Sequence, residues 1–212
     1  MIYQVQKIIR DVRIALDENE TSIALTGLGD IETLSLDKTI TSKIEEAARQ
    51  VETVAPVHYL EEGHTFGESI CWCNDGSGYI LVPDDFMRLV AFRMSDWERT
   101  VYQTVSVTSA EYRCQTSRYK GIRGNPQKPV CALVSHPEGK ALEFYSSHND
   151  KAYVHTGLYL PYPVIDRNDG IDICERCYIA VIYTIAALVL TIYKEEAKAA
   201  SMTELAQQNL QQ

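Results

Sequence analysis

The chain has 212 residues, of which 45% are hydrophobic and 23% charged, and its formal net charge is -9. Its length suits one domain of ordinary size or a compact domain with a helical extension, and its composition excludes the disordered and multi-span membrane classes. The acidic balance argues against a protein whose main role is to grip nucleic acid, because that affinity comes from Lys and Arg at the phosphates.

The first 20 residues and the cysteines bear on the compartment. Charged residues interrupt the apolar positions of the N-terminal segment, so it lacks the continuous apolar core of a secretion signal. Six cysteines are too sparse for a disulfide scaffold. We therefore expect a chain made in a cytoplasm, with free and mostly buried thiols.

Two amphipathic helices are predicted at the start of the chain. Apolar residues recur every three or four positions from Ile2 to Leu16, which predicts the first helix. A polar loop from Glu20 to Leu34 separates it from a second helix, which Ser35 or Asp37 caps and Pro56 ends. Matched apolar stripes predict a helical hairpin over residues 1–56.

Residues 57–165 predict a β-rich region. Short runs of aromatic and β-branched residues are broken by Gly, Pro, Asn and Asp, as is typical of strands and turns. Gly76 and Gly78 predict a hairpin turn because both can adopt positive φ, and Ser109 predicts the cap of a short helix over 108–119. The candidate strands are residues 57–62, 69–74, 79–82, 88–94, 129–135, 141–147 and 153–162.

The segment 166–212 contains an uncharged stretch between Arg176 and Lys194. It could span a membrane, lie in a protein core or be shared between subunits. About 17 residues make a helix of roughly 25 Å, short of a hydrocarbon core of about 30 Å, and Tyr183 would lie near the bilayer centre. Burial by protein, with neighbouring subunits contributing, is the favoured interpretation.

The last residues favour helix by composition but contain few apolar side chains. A helix with so sparse an apolar stripe is expected to dock on a partner or to fray, and not to bury against its own domain. The three apolar anchors of this tail are Met202, Leu205 and Leu210.

Four cysteines raise the alternative of a metal-binding or redox protein, because zinc accepts four thiolates. Successive side chains of a strand point to opposite faces, however, so two cysteines separated by one residue converge poorly on one ion. The four are Cys71, Cys73, Cys174 and Cys177. No phosphate-loop, zinc-helix or nucleophile-elbow pattern occurs, so the sequence predicts no catalytic, cofactor-binding or metal-binding residues and no enzyme.

One basic run stands out in the acidic chain. Between Tyr112 and Val130 there are five cations and no Asp or Glu. DNA phosphates, an acidic protein partner or water alone could face it. The cations are Arg113, Arg118, Lys120, Arg123 and Lys128.

Three segments carry a resemblance to a known family. They are GYILVPDDFMRLVAFRMSDWERTV (78–101), RGNPQKPVCALV (123–134) and ALEFY (141–145). Together they resemble head-to-tail connector proteins of tailed bacteriophages, particularly the adaptor or ring proteins in the neck of podovirus-type and crAss-like phages. The predicted order of elements is also similar to that family.

The resemblance implies an α+β fold, in which an N-terminal helical hairpin and a long C-terminal helix form a helical body with a small β-rich insertion. It implies one compact unit made of segments 1–56, 57–165 and 166–212. It also implies a structural subunit without cofactor, located in the virion neck or tail and in the host cytoplasm during assembly. The implied partners are the portal protein, other neck and tail proteins and further copies in a ring, commonly a dodecamer, through which DNA passes; no membrane is implied. We expect partner contacts at Arg118, Lys120, Arg123, Lys128, Met202, Leu205 and Leu210.

Overall fold

The computed structural model describes residues 1–16, 35–60, 63–73, 76–115, 117, 119, 121–145, 147 and 151–211, and the loop predicted over 20–34 lies outside them. The helices are α1 (Val5–Ala15), α2 (Leu36–Val54), α3 (Ala110–Cys114), α4 (Tyr178–Ile192) and α5 (Glu196–Asn209). The strands are β1 (Ile2–Gln4), β2 (His64–Thr65), β3 (Cys71–Trp72), β4 (Gly78–Leu81), β5 (Phe86–Met94), β6 (Val130–His136), β7 (Gly139–Tyr145), β8 (Val154–Pro161) and β9 (Gly170–Asp172).

The fold mixes helix and sheet, with 38% of residues helical and 27% in strands, which confirms the α+β prediction at that level. The chain divides into two compact units, where one compact unit was expected. The helical unit comprises Met1–Glu61 and Pro163–Gln212, and the β unit comprises Glu62–Tyr162. In sequence, the β unit is thus inserted between the two parts of the helical unit.

The helical unit is built around α4. This helix is apolar on nearly every side and contacts α1, α2 and α5. Strands β1 and β9 form a two-stranded antiparallel sheet in the same unit. The most deeply buried side chains come from α1, α2, α4, β9 and the residue after β9, and they include Ile8, Val12, Ile40, Ile44, Ala47, Ile171, Ile173, Val181, Ile185 and Ala186.

The start of α1 differs from the prediction. Residues Ile2–Gln4 were expected in the helix but form β1, because β9 pairs with them and Tyr3 is buried against the ring of Tyr178 at 4.1 Å. The helix begins at Val5, whose N–H donates to the carbonyl of Asp169 at 2.8 Å. Helical periodicity cannot by itself exclude a short strand before a helix.

The predicted second helix is confirmed as α2. The hydroxyl of Ser35 accepts a hydrogen bond from the N–H of Lys38, so Ser35 rather than Asp37 is the cap. The helix ends at Val54, two residues before Pro56, as the proline predicts.

The tail forms a helix, as its composition predicts, but the expectation that it finds no place in its own domain is wrong. After Lys194 turns the chain with φ of 64°, α5 packs against α4. Ala199 and Ala206 are buried in this contact, and alanines were not counted as anchors in the prediction. Small side chains allow α5 to approach α4 closely, and α4 supplies the apolar surface.

The β unit contains two antiparallel sheets. One has the strand order β2-β8-β5 and the other β3-β4-β7-β6. Their shared core is aromatic, with Phe92, Trp97 and Phe144 in mutual ring contact at 5.6 to 6.2 Å. The other buried core residues of this unit include Ile80, Phe86, Leu89, Met94, Cys131, Leu142 and Tyr159.

Six of the seven predicted strands are confirmed, with altered bounds, as β3 to β8. The exception is 57–62, where Val57–Tyr59 forms a 3-10 turn after Pro56 and belongs to the helical unit. Gly76 has φ of 80°, as a hairpin turn requires. Gly78 serves packing instead, since a Cβ there would lie 2.6 Å from the Phe144 ring.

Candidate interaction surfaces

The basic run surrounds a tightly held turn in the β unit. The side chain of Gln115 is buried and accepts a hydrogen bond from the N–H of Gly124 at 2.7 Å. The next turn closes through reciprocal backbone hydrogen bonds between Asn125 and Lys128. The turn therefore presents its side chains from a fixed backbone.

We call residues 119 and 121–128 the basic turn. Lys128 is exposed and Arg123 half-buried, and two apolar side chains beside them face solvent, Tyr119 at 74% and Ile122 at 54% exposure. Arg118 and Lys120, expected to contact a partner, lie outside the described residues. The basic turn thus combines positive charge with exposed apolar area.

The tail residues have divided roles. Met202 and Leu210 pack against the core of the helical unit, whereas Leu205 is 36% exposed. The helix α3 carries Arg113 on its exposed side. Since the tail belongs to the helical unit and the basic turn to the β unit, the expected contact residues form two separate groups.

An acidic surface of the helical unit was not foreseen. We call residues 2–4 and 164–175 the acidic ribbon, because the second stretch contains four Asp or Glu residues and one Arg. One of the four, Asp172, pairs with the N-terminal ammonium of Met1 at 2.6 Å. The carboxylate of Asp166 shapes its turn by accepting from the N–H groups of Asn168 and Gly170, each at 2.8 Å. Two apolar side chains are exposed here, Ile2 at 65% and Val164 at 61%.

A polar cluster covers the outer face of the four-stranded sheet. The carboxylate of Glu143 accepts hydrogen bonds from the hydroxyls of Tyr112, at 3.3 Å, and Tyr145, and lies 3.2 Å from Nε2 of His136. The His136 ring stacks on Tyr79 with centroids 4.3 Å apart. One carboxylate therefore joins α3 to two strands of the sheet.

Two tyrosines of this cluster, Tyr145 and Tyr79, have a raised pKa. Burial, together with the hydrogen bond to Glu143, raises the pKa of Tyr145 well above its usual value. A hydrogen bond with Cys71 raises the pKa of Tyr79. The hydrogen bond from the Tyr145 hydroxyl to Glu143 fits a cross-link that stabilises the sheet. Because side chains alternate along β7, Glu143 lies on the other face of the sheet from Leu142 and Phe144. The register between β7 and its neighbours β4 and β6 brings the hydrogen-bond partners close to Glu143.

A cleft of about 560 Å³ opens within the β unit. Its walls come from the segment after β2, the end of β4 and the start of β8, and they include Phe66, Leu81, Val154 and His155. The size is that of a small-ligand site, and the lining also includes the polar residues Glu68, Ser69 and Cys71.

The cysteines lie in different environments. Cys71 and Cys73 are exposed on the β unit, whereas Cys174 and Cys177 are buried in the helical unit. The thiol of Cys174 donates to the carbonyl of Tyr59 at 2.6 Å. Within the described ranges, no three His, Cys, Asp or Glu side chains are grouped to hold a metal ion.

The helical unit also contains a buried carboxyl. Glu52 is 2% exposed, and its Oε1 accepts a hydrogen bond from the N–H of Cys174 at 2.9 Å. Burial raises the pKa of Glu52 to about 7. Glu52 thereby joins α2 to the residues that lead into α4.

One helix, Glu175–Ile192, meets the length and composition required to cross a membrane, in a search restricted to the described part of the chain, and 44% of it is buried within the fold. No protein-family model matches this chain, and no curated protein matches it. Functional inference therefore depends on the residues, the geometry and the resemblance already described.

Proposed function

We propose that this chain is a structural subunit of the head-to-tail connector of a tailed bacteriophage. Copies of it would form a ring under the portal, and this ring would extend the DNA channel and provide the platform for tail components. The finer architecture, a helical body with a β-rich insertion, belongs to the same proposal. The virion neck is its proposed location, and the portal, other neck and tail proteins and further copies are its proposed partners.

The observation that carries the proposal is the position of the resembling segments. Residues 78–101 supply β4, β5 and Trp97, residues 123–134 supply most of β6, and 141–145 lie in β7. Their side chains make up most of the aromatic core of the β unit. The resemblance therefore rests on one connected, packed part of the fold and not on scattered surface residues.

The charge balance also supports this function. DNA sliding through a channel should not adhere to its wall, and a net charge of -9 disfavours adhesion. A ring requires a heterologous interface, in which one face of a subunit meets a different face of the next. The two units differ in net charge, so they can supply unlike surfaces for such an interface.

The proposal is tested by mixing the purified chain with the portal protein of the same phage and imaging the complex by electron microscopy. We expect a ring, commonly of twelve copies, beneath the portal, and none on an unrelated phage's portal. In the same assay, Leu205→Glu tests whether the exposed tail residue contacts a partner in the complex, and Gln208→Glu is the matched control. Absence of the chain from both the portal complex and purified virions would refute the proposal.

The alternative of a cysteine-based metal or redox protein is decided by metal analysis of the same preparation. About one zinc per chain, lost on substitution of Cys174 and Cys177, would replace the structural proposal. The hydrogen bond from Cys174 to Tyr59 supports a structural thiol instead.

A further inference from the structure

We infer that copies of this chain associate head to tail through the basic turn of one copy and the acidic ribbon of the next. The inference rests on the proposed ring and names the surfaces that join its subunits. The partner is a second copy of this chain.

The first support is the unequal distribution of charge. By sequence, the helical unit carries ten Lys or Arg and eighteen Asp or Glu, whereas the β unit carries ten and eleven. Within the β unit, the segment 112–130 holds five cations and no acid. The basic surface on the β unit of one copy can therefore pair with the acidic helical unit of another copy, which is a heterologous contact.

The second support is that both surfaces expose apolar side chains among their charges. Tyr119 and Ile122 face solvent on the basic turn, as Ile2 and Val164 do on the acidic ribbon. An interface with an apolar centre and a charged rim is typical of protein association. Apolar burial provides the affinity, and the opposite charges select the pairing and speed the encounter.

The third support is that hydrogen bonds close a turn within each surface before association. Gln115 and the Asn125–Lys128 turn hold the basic turn, and the Asp166 carboxylate holds the turn of the acidic ribbon. Little ordering entropy is then lost when the surfaces meet.

Sedimentation of the full chain over micromolar to millimolar concentration tests the inference. Two variants alter exposed positions. The turn variant is Ile122→Glu/Lys128→Glu, and the ribbon variant is Val164→Lys/Glu175→Lys. We expect the wild type to self-associate. Its dissociation constant should be at least tenfold higher in 0.5 M salt than in 0.05 M salt, because salt screens exposed charges. Each variant alone should associate at least tenfold more weakly.

Mixing the two variants separates association between copies from contact within one chain. The ribbon variant keeps a native turn and the turn variant a native ribbon, so the mixture should form a heterodimer where neither variant associates alone. A matched control, Lys140→Glu/Tyr153→Glu, changes an exposed cation and an exposed apolar residue elsewhere on the β unit and should associate like the wild type.

The inference is overturned if the wild type stays monomeric throughout, if the variants associate normally, or if the mixture forms no heterodimer. These outcomes are distinct from failure of the proposed function. A chain that joins the portal ring despite these substitutions keeps the connector proposal and loses this interface. A chain that associates head to tail but never joins a portal keeps this interface and loses the connector proposal.

Discussion

Replacing Glu52 by Gln tests how a buried carboxyl limits the stability of the helical unit. Glu52 is 2% exposed, and burial raises its pKa from 4.5 to about 7. Because one pKa unit is worth about 1.36 kcal/mol, ionised Glu52 costs the folded state about 3 kcal/mol. The hydrogen bond from Cys174 offsets part of this cost and is available to Gln as well.

The sign of the pH dependence follows from the two pKa values. Below about pH 4.5 the carboxyl is protonated in both the folded and unfolded states, so the full stability is present. Between about pH 4.5 and 7 the unfolded chain loses its proton first, and stability falls until the folded carboxyl also ionises. Gln cannot ionise, so Glu52→Gln avoids the cost of about 3 kcal/mol at pH 8 but loses about 1 kcal/mol through a weaker hydrogen bond. We therefore expect its free energy of unfolding at pH 8 to exceed that of the wild type by about 2 kcal/mol.

Urea unfolding at pH 5, 6, 7 and 8 provides the assay. Far-UV circular dichroism follows the helices, while fluorescence follows the β unit, since both tryptophans, Trp72 and Trp97, lie there. Glu45→Gln is the control, because Glu45 lies on the same helix, is only half-buried and accepts from the N–H of Ile165 at 2.8 Å. Parallel pH profiles for Glu52→Gln and wild type, or a less stable variant at pH 8, would refute the reasoning.

Three further predictions concern packing. Phe144→Ala, at a fully buried ring, should lower the free energy of unfolding seen by fluorescence by about 3–5 kcal/mol through cavity formation. Tyr145→Phe removes a hydrogen bond to Glu143 and should cost the same transition about 1 kcal/mol. Ala206→Glu, at a position 5% exposed between α5 and α4, should cost the helical transition about 2 kcal/mol or more, because it inserts bulk and charge.

Exposed positions serve as controls for these three changes. Tyr102→Ala and Tyr153→Phe alter side chains that are 54% and 63% exposed, and Gln207→Glu places the same carboxylate on the outer side of α5. Each should change stability by less than about 0.5 kcal/mol. Equal losses in a buried variant and its control would contradict the packing described for that residue.

Periodicity predicted the long elements because burial itself is periodic. Apolar spacing located α1, α2 and most strands of the β unit, and the Ser35 and Ser109 caps were visible as side chains that accept from a helix N-terminus. The β1–β9 pair could not be predicted in this way. Each strand has three residues, and their pairing joins segments far apart in sequence, such as Ile2 and Asp172.

The surfaces were less accessible to prediction than the elements. The basic run is contiguous in sequence and was identified, but the cluster around Glu143 depends on cross-strand register. The acidic ribbon combines residues 2–4 with 164–175, and only the β1–β9 pairing brings them together. Sites assembled from distant segments leave no local pattern to recognise.

Helix α4 shows how one misjudged contact alters a functional interpretation. Its apolar surface was assigned partly to neighbouring subunits, because two helices and a small β body could not cover it. The same chain covers one side of it, with α1, α2 and the tail helix α5, whereas Ile179 and Ile192 stay about half exposed. A helix dissolved in lipid needs no such cover, and residues such as Val181, Ile185 and Ala186 are fully buried by protein. Because α1, α2 and α5 take up much of the apolar surface of α4, the proposed ring needs further contact surfaces, and the basic turn and acidic ribbon combine exposed apolar area with opposite charge.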